Sequence, residues 1–449
     1  MFSSEFELGE DAALFTDLYE LTMAASYFAE RMHDPASFSF FIRGYPPGRG
    51  YFVAAGLEAV IRYLESFHFS AGALRYLEQT GHYTSAFLRY LEGVRFTGDV
   101  DAVPEGTICF VHEPLLEITA PIIEGQLVET FAINQLNLQT MLATKAARCV
   151  YAASGRPVVD FSLRRTQGTA AGMAIARCSY LAGAAGTSNV LAGLRWEIPT
   201  YGTMAHAFVQ SFANEADAFR AFARSFPRTS TFLVDTYDTL AGVQAAISVA
   251  LEMQRAGTAL QAIRLDSGDL DCLSRAARGL LDDAGLHHVQ IFASGGLNED
   301  RVAALVGAGA PIDAFGVGTE MGVSGDAPWL DCAYKLVEYQ GRGRLKLSQD
   351  KVTWLGRKQV WRASQGNRKL RDCLSLRQET VDNVGPVLGV RPSDIEPQLQ
   401  PVMRSGRVVT RPPSLAATRS HFQAQFAALD SSYKDLRAPR QFPVEVSPA

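Results

Sequence analysis

Three observations predict an α/β fold with parallel strands. Between about Thr231 and Gly322, short apolar runs alternate with amphipathic helical stretches. The runs end at intervals that suit a strand, a helix and two short loops. Polar residues gather just after the runs, at the edge where α/β barrels and doubly wound sheets carry their sites.

The runs are TFLVD ending at Asp235, AIRLD ending at Asp266, VQIFA followed by Ser294-Gly295-Gly296, and IDAFGVG ending in Gly316 to Gly318. From 235 to 266 to 294 to 316, the intervals are 31, 28 and 22 residues. After Asp266, Asp269 is placed to cap a helix on which Leu270, Leu273, Ala277, Leu280 and Leu281 share a face, with Gly285 at its stop. After Gly296, Asn298 caps a second helix, which Gly307 and Gly309 end. Asp235, Asp266, Ser294 and Thr319 thus all follow strands.

Upstream, residues 1 to about 118 are rich in aromatics, are interrupted by Pro46-Pro47-Gly48, and read as mixed α+β. A long helical pattern from about Glu124 to Ala153 leads into the apparent barrel, and His206 stands at the start of a helix running through Arg224. After Gly341 the chain turns basic and then proline-rich, and reads as peripheral.

The 449 residues suggest two or three domains, and 47% hydrophobic with 20% charged residues is the composition of a folded globular protein. Forty-two basic against 47 acidic residues leave a net charge of −5, so there is no electrostatic reason to expect nucleic acid or an acidic membrane as partner. Any phosphate must be held locally. Cys109, Cys149, Cys178, Cys272, Cys332 and Cys373 lie far apart with no C-x-x-C pair, which argues against a zinc ribbon or a disulfide framework. Met1 to Glu10 carries three glutamates and no basic residue, so no leader is read there and a cytoplasmic location is expected. The most apolar stretch, Ala170 to Gly186, is broken by Arg177 and falls short of the ~20 residues that span a bilayer.

Four small-residue clusters follow strands or open helices: Gly186 to Asn189, Asp266 to Asp269, Ser294 to Leu297, and Gly316 to Thr319. Each reads either as a tight turn or as a loop whose N–H groups approach a phosphate. There is no P-loop, and Gly316, Gly318 and Gly322 miss the dinucleotide fingerprint by one residue. Asp266 and Asp269 could face vicinal hydroxyls or a phosphate-bound Mg²⁺, with a helix cap as the other role of Asp269. Arg264 shares a strand face with Asp266 and needs an anionic partner, either a salt bridge or a ligand carboxylate. Arg164-Arg165 before Gly168 suits a diphosphate clamp or a solvated basic pair. His206 is either structural or, at a helix N-terminus, a carrier of a phosphoryl group.

Taken together, Asp17 to Met23, Leu163 to Gly168, Gly186 to Asn189, Gly202 to His206, Arg264 to Leu270, Ser294 to Leu297, Gly316 to Thr319, Tyr334 to Val337 and Gly356 to Gln359 resemble nicotinate phosphoribosyltransferases, in family order along nearly the whole chain. The resemblance implies an incomplete (β/α) barrel over residues 119–339. A second α+β domain would be formed from both chain ends, 1–118 and 340–449. It implies a homodimer with sites completed across the interface. The reaction implied joins nicotinate to phosphoribosyl diphosphate, giving nicotinate mononucleotide and diphosphate, with Mg²⁺ and coupled ATP hydrolysis, as a salvage step of NAD biosynthesis. By position, Tyr19 matches the residue that stacks on the pyridine ring, Thr203 and Arg264 hold nicotinate, and His206 matches the phosphorylated histidine. Asp266 and Asp269 match the ribose and Mg-diphosphate region, and Arg164, Arg165, Ser294, Gly295, Gly296, Gly318 and Thr319 the groups that hold phosphoribosyl diphosphate. Ala207 stands where the family usually has serine, and Leu355 where it has proline.

Two rivals share the fold. A nicotinamide phosphoribosyltransferase would need a carboxylate to accept from the amide, and Gly202 to Ala205 offers none. A quinolinate enzyme would need a denser basic pocket. A non-catalytic nucleotide-binding protein is the alternative from another class, although His206 and Asp266 are both present.

Overall fold

The computed structural model describes residues 8–346, 354–366 and 368–448. Part of the stretch read for a leader, residues 1–7, lies outside the described residues. The chain divides into two units, one of residues 1–144 with 327–449 and one of residues 145–326.

The second unit is the α/β part. Six parallel strands stand in the spatial order Gly186–Thr187, Val158–Asp160, Ala314–Val317, Gln290–Ala293, Ala262–Leu265 and Thr231–Leu233. The sheet is open, with Gly186–Thr187 and Thr231–Leu233 at its edges, so the barrel is incomplete, as expected. Registers are continuous: Phe315 pairs with Val158, Ala293 with Phe315 and with Leu265, and Leu233 with Arg264. Most residues of these strands are buried, as in parallel sheets generally. Asp269 caps the helix Leu270–Asp283, and Asn298 caps Glu299–Gly307.

Two helical stretches differ from the sequence reading. The pattern from about Glu124 to Ala153 is two helices, Ile122–Leu127 and Glu129–Ala152. The run from His206 to Arg224 is two helices, His206–Gln210 and Glu215–Ser225, separated by a turn. Asn214 has extended backbone there and accepts from the Asp217 N–H, so a new helix starts rather than the old one continuing. His206 therefore heads a helix of five residues, and the dipole behind it is correspondingly short.

The first unit holds a seven-stranded antiparallel sheet, in the order Arg342–Gly343, Cys332–Tyr339, Pro35–Ile42, Pro114–Pro121, Asp99–Ala102, Gln400–Arg404 and Arg407–Val408. A four-stranded sheet comprises Ile395–Pro397, Lys358–Gln365, Arg368–Leu376 and Val444–Val446. The last hundred residues are thus not peripheral, since they supply strands to both sheets.

The unit boundaries also move inward from 118/119 and 339/340. Cys332–Tyr339 pairs along Pro35–Ile42, with Ile42 opposite Cys332. Residues 122–144 belong there too, because Thr144 and Thr140 accept from the backbone N–H groups of Val53 and Ala55 at 3.0 and 3.3 Å. Among the described residues, no helix is long and apolar enough to cross a membrane.

Candidate active site

At the carboxyl edge of the parallel sheet the strands release, in spatial order, Ser188, Phe161, Gly318, Ser294, Asp266 and Asp235. Asp266 is the hub. Its Oδ1 accepts from Arg264 Nη2 at 2.7 Å and from the Ser294 hydroxyl at 2.5 Å. Arg264 Nε donates to that hydroxyl at 2.8 Å, closing a triangle, and Nη1 reaches the Thr203 hydroxyl at 3.3 Å. The Asp266 Oδ2 lies 3.9 Å from His206 Nε2. Burial alone would raise the Asp266 carboxyl, but the Ser294 hydrogen bond and the Arg264 guanidinium outweigh it and hold it below the usual carboxylate range. Asp266 is thus ionised at neutral pH.

Arg264 has the partner its position demanded. A guanidinium has five N–H donors, and the three contacts just described leave one on each terminal nitrogen. That outer edge suits a carboxylate held bidentately. Phe161 lies beneath, with its ring centroid 5.2 Å from the guanidinium carbon. Phe161 also donates its N–H to the Val317 carbonyl at 2.9 Å, so the residue between two strand ends is fixed by both.

Thr203 and His206 arrive on a segment that crosses the strand ends. It starts where Thr200 bridges Thr187 at one edge of the sheet. It ends where the other ring nitrogen of His206, Nδ1, meets the Thr236 hydroxyl at 3.2 Å, just past the strand at the opposite edge. The His206 side chain is 40% exposed.

Asp235 holds the backbone around the hub. Its Oδ2 accepts from the Asp266 N–H at 3.0 Å and from the Ser267 hydroxyl at 2.5 Å. The Oδ1 of this buried residue has no hydrogen-bond partner among the described residues. Asp269, three residues past Asp266, points its Oδ1 at the N–H groups of Asp271 and Cys272, both at 3.1 Å. These bonds lower its carboxyl.

The glycine loops stand beside the hub. Gly295 has φ +91° and Gly296 φ +59°, left-handed conformations that disfavour a side chain. The Gly296 carbonyl accepts from Arg301 at 2.7 Å. Gly318 and Thr319 open the short helix Thr319–Gly322. Arg164 and Arg165 lie exposed in the turn Leu163–Arg165, which follows Phe161 and Ser162, and neither forms an ion pair among the described residues.

Arg264, Asp266, Ser294, Thr203 and His206 therefore form one cluster, flanked by the loops. Tyr19 lies in the other unit, on the helix Leu18–Ala29, with the residue 46% exposed. Desolvation, then the charges of Glu129 and Glu20, raise its hydroxyl above the ordinary tyrosine value. Phe161 and Thr236 were not singled out from sequence. Phe161 directly follows a short apolar strand, the same signal that marked Asp266.

Three regions match known family domains: residues 14–137 the nicotinate phosphoribosyltransferase N-terminal domain, 157–353 the nicotinate phosphoribosyltransferase family, and 357–449 its C-terminal domain. This chain belongs to the nicotinate phosphoribosyltransferase family. Among its relatives, the nicotinate phosphoribosyltransferase pncB2 of Mycobacterium tuberculosis is 53% identical over 439 residues, covering 97% of this chain and 91% of that one. The Bacillus subtilis nicotinate phosphoribosyltransferase is 36% identical over 470 residues, covering 99% and 94%. The crystal structure of human nicotinic acid phosphoribosyltransferase superposes with a TM-score of 0.84 at 30% identity, covering 96% of this chain and 98% of that one. The open parallel sheet with a second, largely antiparallel unit is thus the fold of the nicotinate phosphoribosyltransferase family.

Proposed function

We propose that this protein transfers the phosphoribosyl group of phosphoribosyl diphosphate to the ring nitrogen of nicotinate, releasing diphosphate, as a salvage step toward NAD. The observation that carries this reading is the pair of Arg264 N–H groups left over from its three bonds, in a cluster whose other members are an ionised aspartate, two hydroxyls and two glycine loops.

In the reaction, the pyridine nitrogen forms a bond to the anomeric carbon while the bond to the diphosphate oxygen breaks. Positive charge builds on the ribose, and negative charge builds on the departing diphosphate. Arg264 binds the nicotinate carboxylate at its two remaining N–H groups, with Thr203 beside it, and so aims the nitrogen. The ionised Asp266 lies where the ribose hydroxyls and its developing positive charge are to be received. Gly295, Gly296, Gly318 and Thr319 offer N–H groups and the Thr319 hydroxyl to the phosphates, Ser294 fixes the first of these loops through its bonds to Asp266 and the Leu265 carbonyl, and Arg164 and Arg165 add charge from their exposed turn. No strongly nucleophilic side chain is required.

Magnesium fits this donor set. The ion takes one or two carboxylates and fills its remaining positions with water and substrate phosphates. Among the described residues, no group of three or more His, Cys, Asp or Glu side chains forms a cage. Asp266 and Asp235, the latter with one buried unpartnered oxygen, are the carboxylates that would hold an ion arriving with its diphosphate, and Asp269 keeps its second oxygen for the same group. The ion would supply neutralisation of the leaving group.

ATP hydrolysis is coupled, in this reading, through His206. The γ-phosphoryl group passes to a ring nitrogen, ADP leaves, and water later returns the phosphoryl group to phosphate. The phosphorylated state binds the sugar diphosphate more tightly, which is the differential affinity such coupling requires. The partner copy of a homodimer would bring its Tyr19 against the pyridine ring. Incubation with nicotinate, phosphoribosyl diphosphate and Mg²⁺ should give a product with the mass of nicotinate mononucleotide; none, with tight binding of the sugar diphosphate, would favour the non-catalytic reading.

A further inference from the structure

Beneath the glycine loops lies a buried ionic cluster to which the reaction assigns no role. Lys145 and Glu299 are each about 1% exposed and Arg148 is 3% exposed. Lys145 Nζ lies 2.5 Å from Glu299 Oε2, and Arg148 Nε donates to Glu299 Oε1 at 2.9 Å. Lys145 Nζ also donates to Asp326 Oδ1 at 2.7 Å. Burial alone would raise the Glu299 carboxyl; the two cations outweigh it and keep it ionised.

Both acids are coupled to the loops by short stretches of backbone. Glu299 is the first residue of its helix and stands three positions after Gly296. Arg301 of the same first turn holds the Gly296 carbonyl, so the helix start and the loop move together. On the other side, the backbone from Thr319 to Asp326 is a compact turn. The Val323 N–H donates to the Thr319 carbonyl at 3.0 Å, and the Gly325 N–H to the Glu320 carbonyl at 3.2 Å. Ser324 is fully buried at φ +47°, a left-handed conformation that a serine keeps only where its surroundings impose it. One ammonium group thus ties the roots of two loops that leave different strands.

Stability alone gives little reason for such a cluster. Well-packed apolar side chains in place of a buried ion pair are often equally stable, because desolvation cancels most of the Coulomb attraction. Directional ion pairs do fix geometry. We propose that Lys145 is a positioning residue: through Glu299 and Asp326 it sets the spacing of the Ser294–Gly296 and Gly318–Thr319 loops, and with it the affinity for the phosphorylated sugar. This rests on the reading that those loops hold phosphoribosyl diphosphate.

The test is steady-state kinetics of Asp326→Ala and Lys145→Met, with Lys145→Arg and Asp326→Glu as conservative controls. The Asp326 side chain is 41% exposed, so Asp326→Ala cuts the link with little threat to folding. A rise of at least about fivefold in KM for phosphoribosyl diphosphate is expected for Asp326→Ala and Lys145→Met, with KM for nicotinate and kcat within about twofold of the parent, and partial recovery in the controls. A KM for phosphoribosyl diphosphate unchanged in Asp326→Ala would overturn the proposal, whatever happens to melting temperature. Gly295→Ala measured alongside separates the two readings: if it too leaves that KM unchanged, the loops are not the phosphate site.

Discussion

Gly295 packs so closely on Asp266 that a Cβ added to it would stand 1.7 Å from the Asp266 carbonyl oxygen. The φ of +91° would strain any side chain there as well. Gly295→Ala must therefore displace either the loop or the strand end that carries Asp266. A shift of about 1 Å in a positioned group costs on the order of a hundredfold in rate. The expected outcome is a fall in kcat/KM for phosphoribosyl diphosphate of at least about tenfold, measured by initial rates. Unchanged kinetics would remove the loop from the site.

Arg264→Lys keeps the charge but loses the planar fork. A lysine cannot contact Ser294, Asp266 and Thr203 together and still present two parallel donors outward. KM for nicotinate should rise by about 10- to 100-fold, the worth of a charge-assisted hydrogen bond. Isothermal titration of nicotinate into the variant checks whether the loss lies in binding.

Much of this edge was legible in the sequence, and the reasons are local. The strands are short apolar runs closed by glycine or aspartate, and the period of two along Ala262–Leu265 puts Arg264 and Asp266 on one face. The caps Asp269 and Asn298 are side chain-to-backbone bonds over two or three residues. What was not legible depends on distant pairing. The strand Cys332–Tyr339 falls in the unit with Pro35–Ile42 because the two pair across some 300 residues, which no local pattern records. The Lys145 contacts with Glu299 and Asp326 span more than 150 residues for the same reason. The break after Gln210 was within reach, because Asn214 and Asp217 have the spacing of a cap.

Glu20, beside Tyr19, is fully buried, and burial raises its carboxyl to about 7 despite hydrogen bonds from Thr16 and Thr130. The folded state therefore keeps a proton that the unfolded chain releases near pH 4.5. Between those values the unfolded state binds fewer protons, so this group makes stability fall as pH rises, by up to about 3 kcal/mol. Glu20→Gln should abolish that slope. Urea denaturation of parent and variant at pH 4.5 and pH 7.5 checks it, and parallel pH profiles would contradict it.

His206→Ala should abolish two signals at once: transfer of acid-labile label from γ-labelled ATP to the protein, and acceleration of turnover by ATP. Labelling that persisted in the variant would place the phosphoryl acceptor elsewhere.

Discrimination between acid and amide isolates the role of Arg264, because the two substrates differ only in the group its guanidinium would hold. The measurement is the ratio of kcat/KM for nicotinate to that for nicotinamide, at one concentration of phosphoribosyl diphosphate and Mg²⁺. At least about a hundredfold preference for nicotinate is expected, since the amide leaves the guanidinium edge without its anion. Equal use of the two, or a preference for nicotinamide, would contradict it.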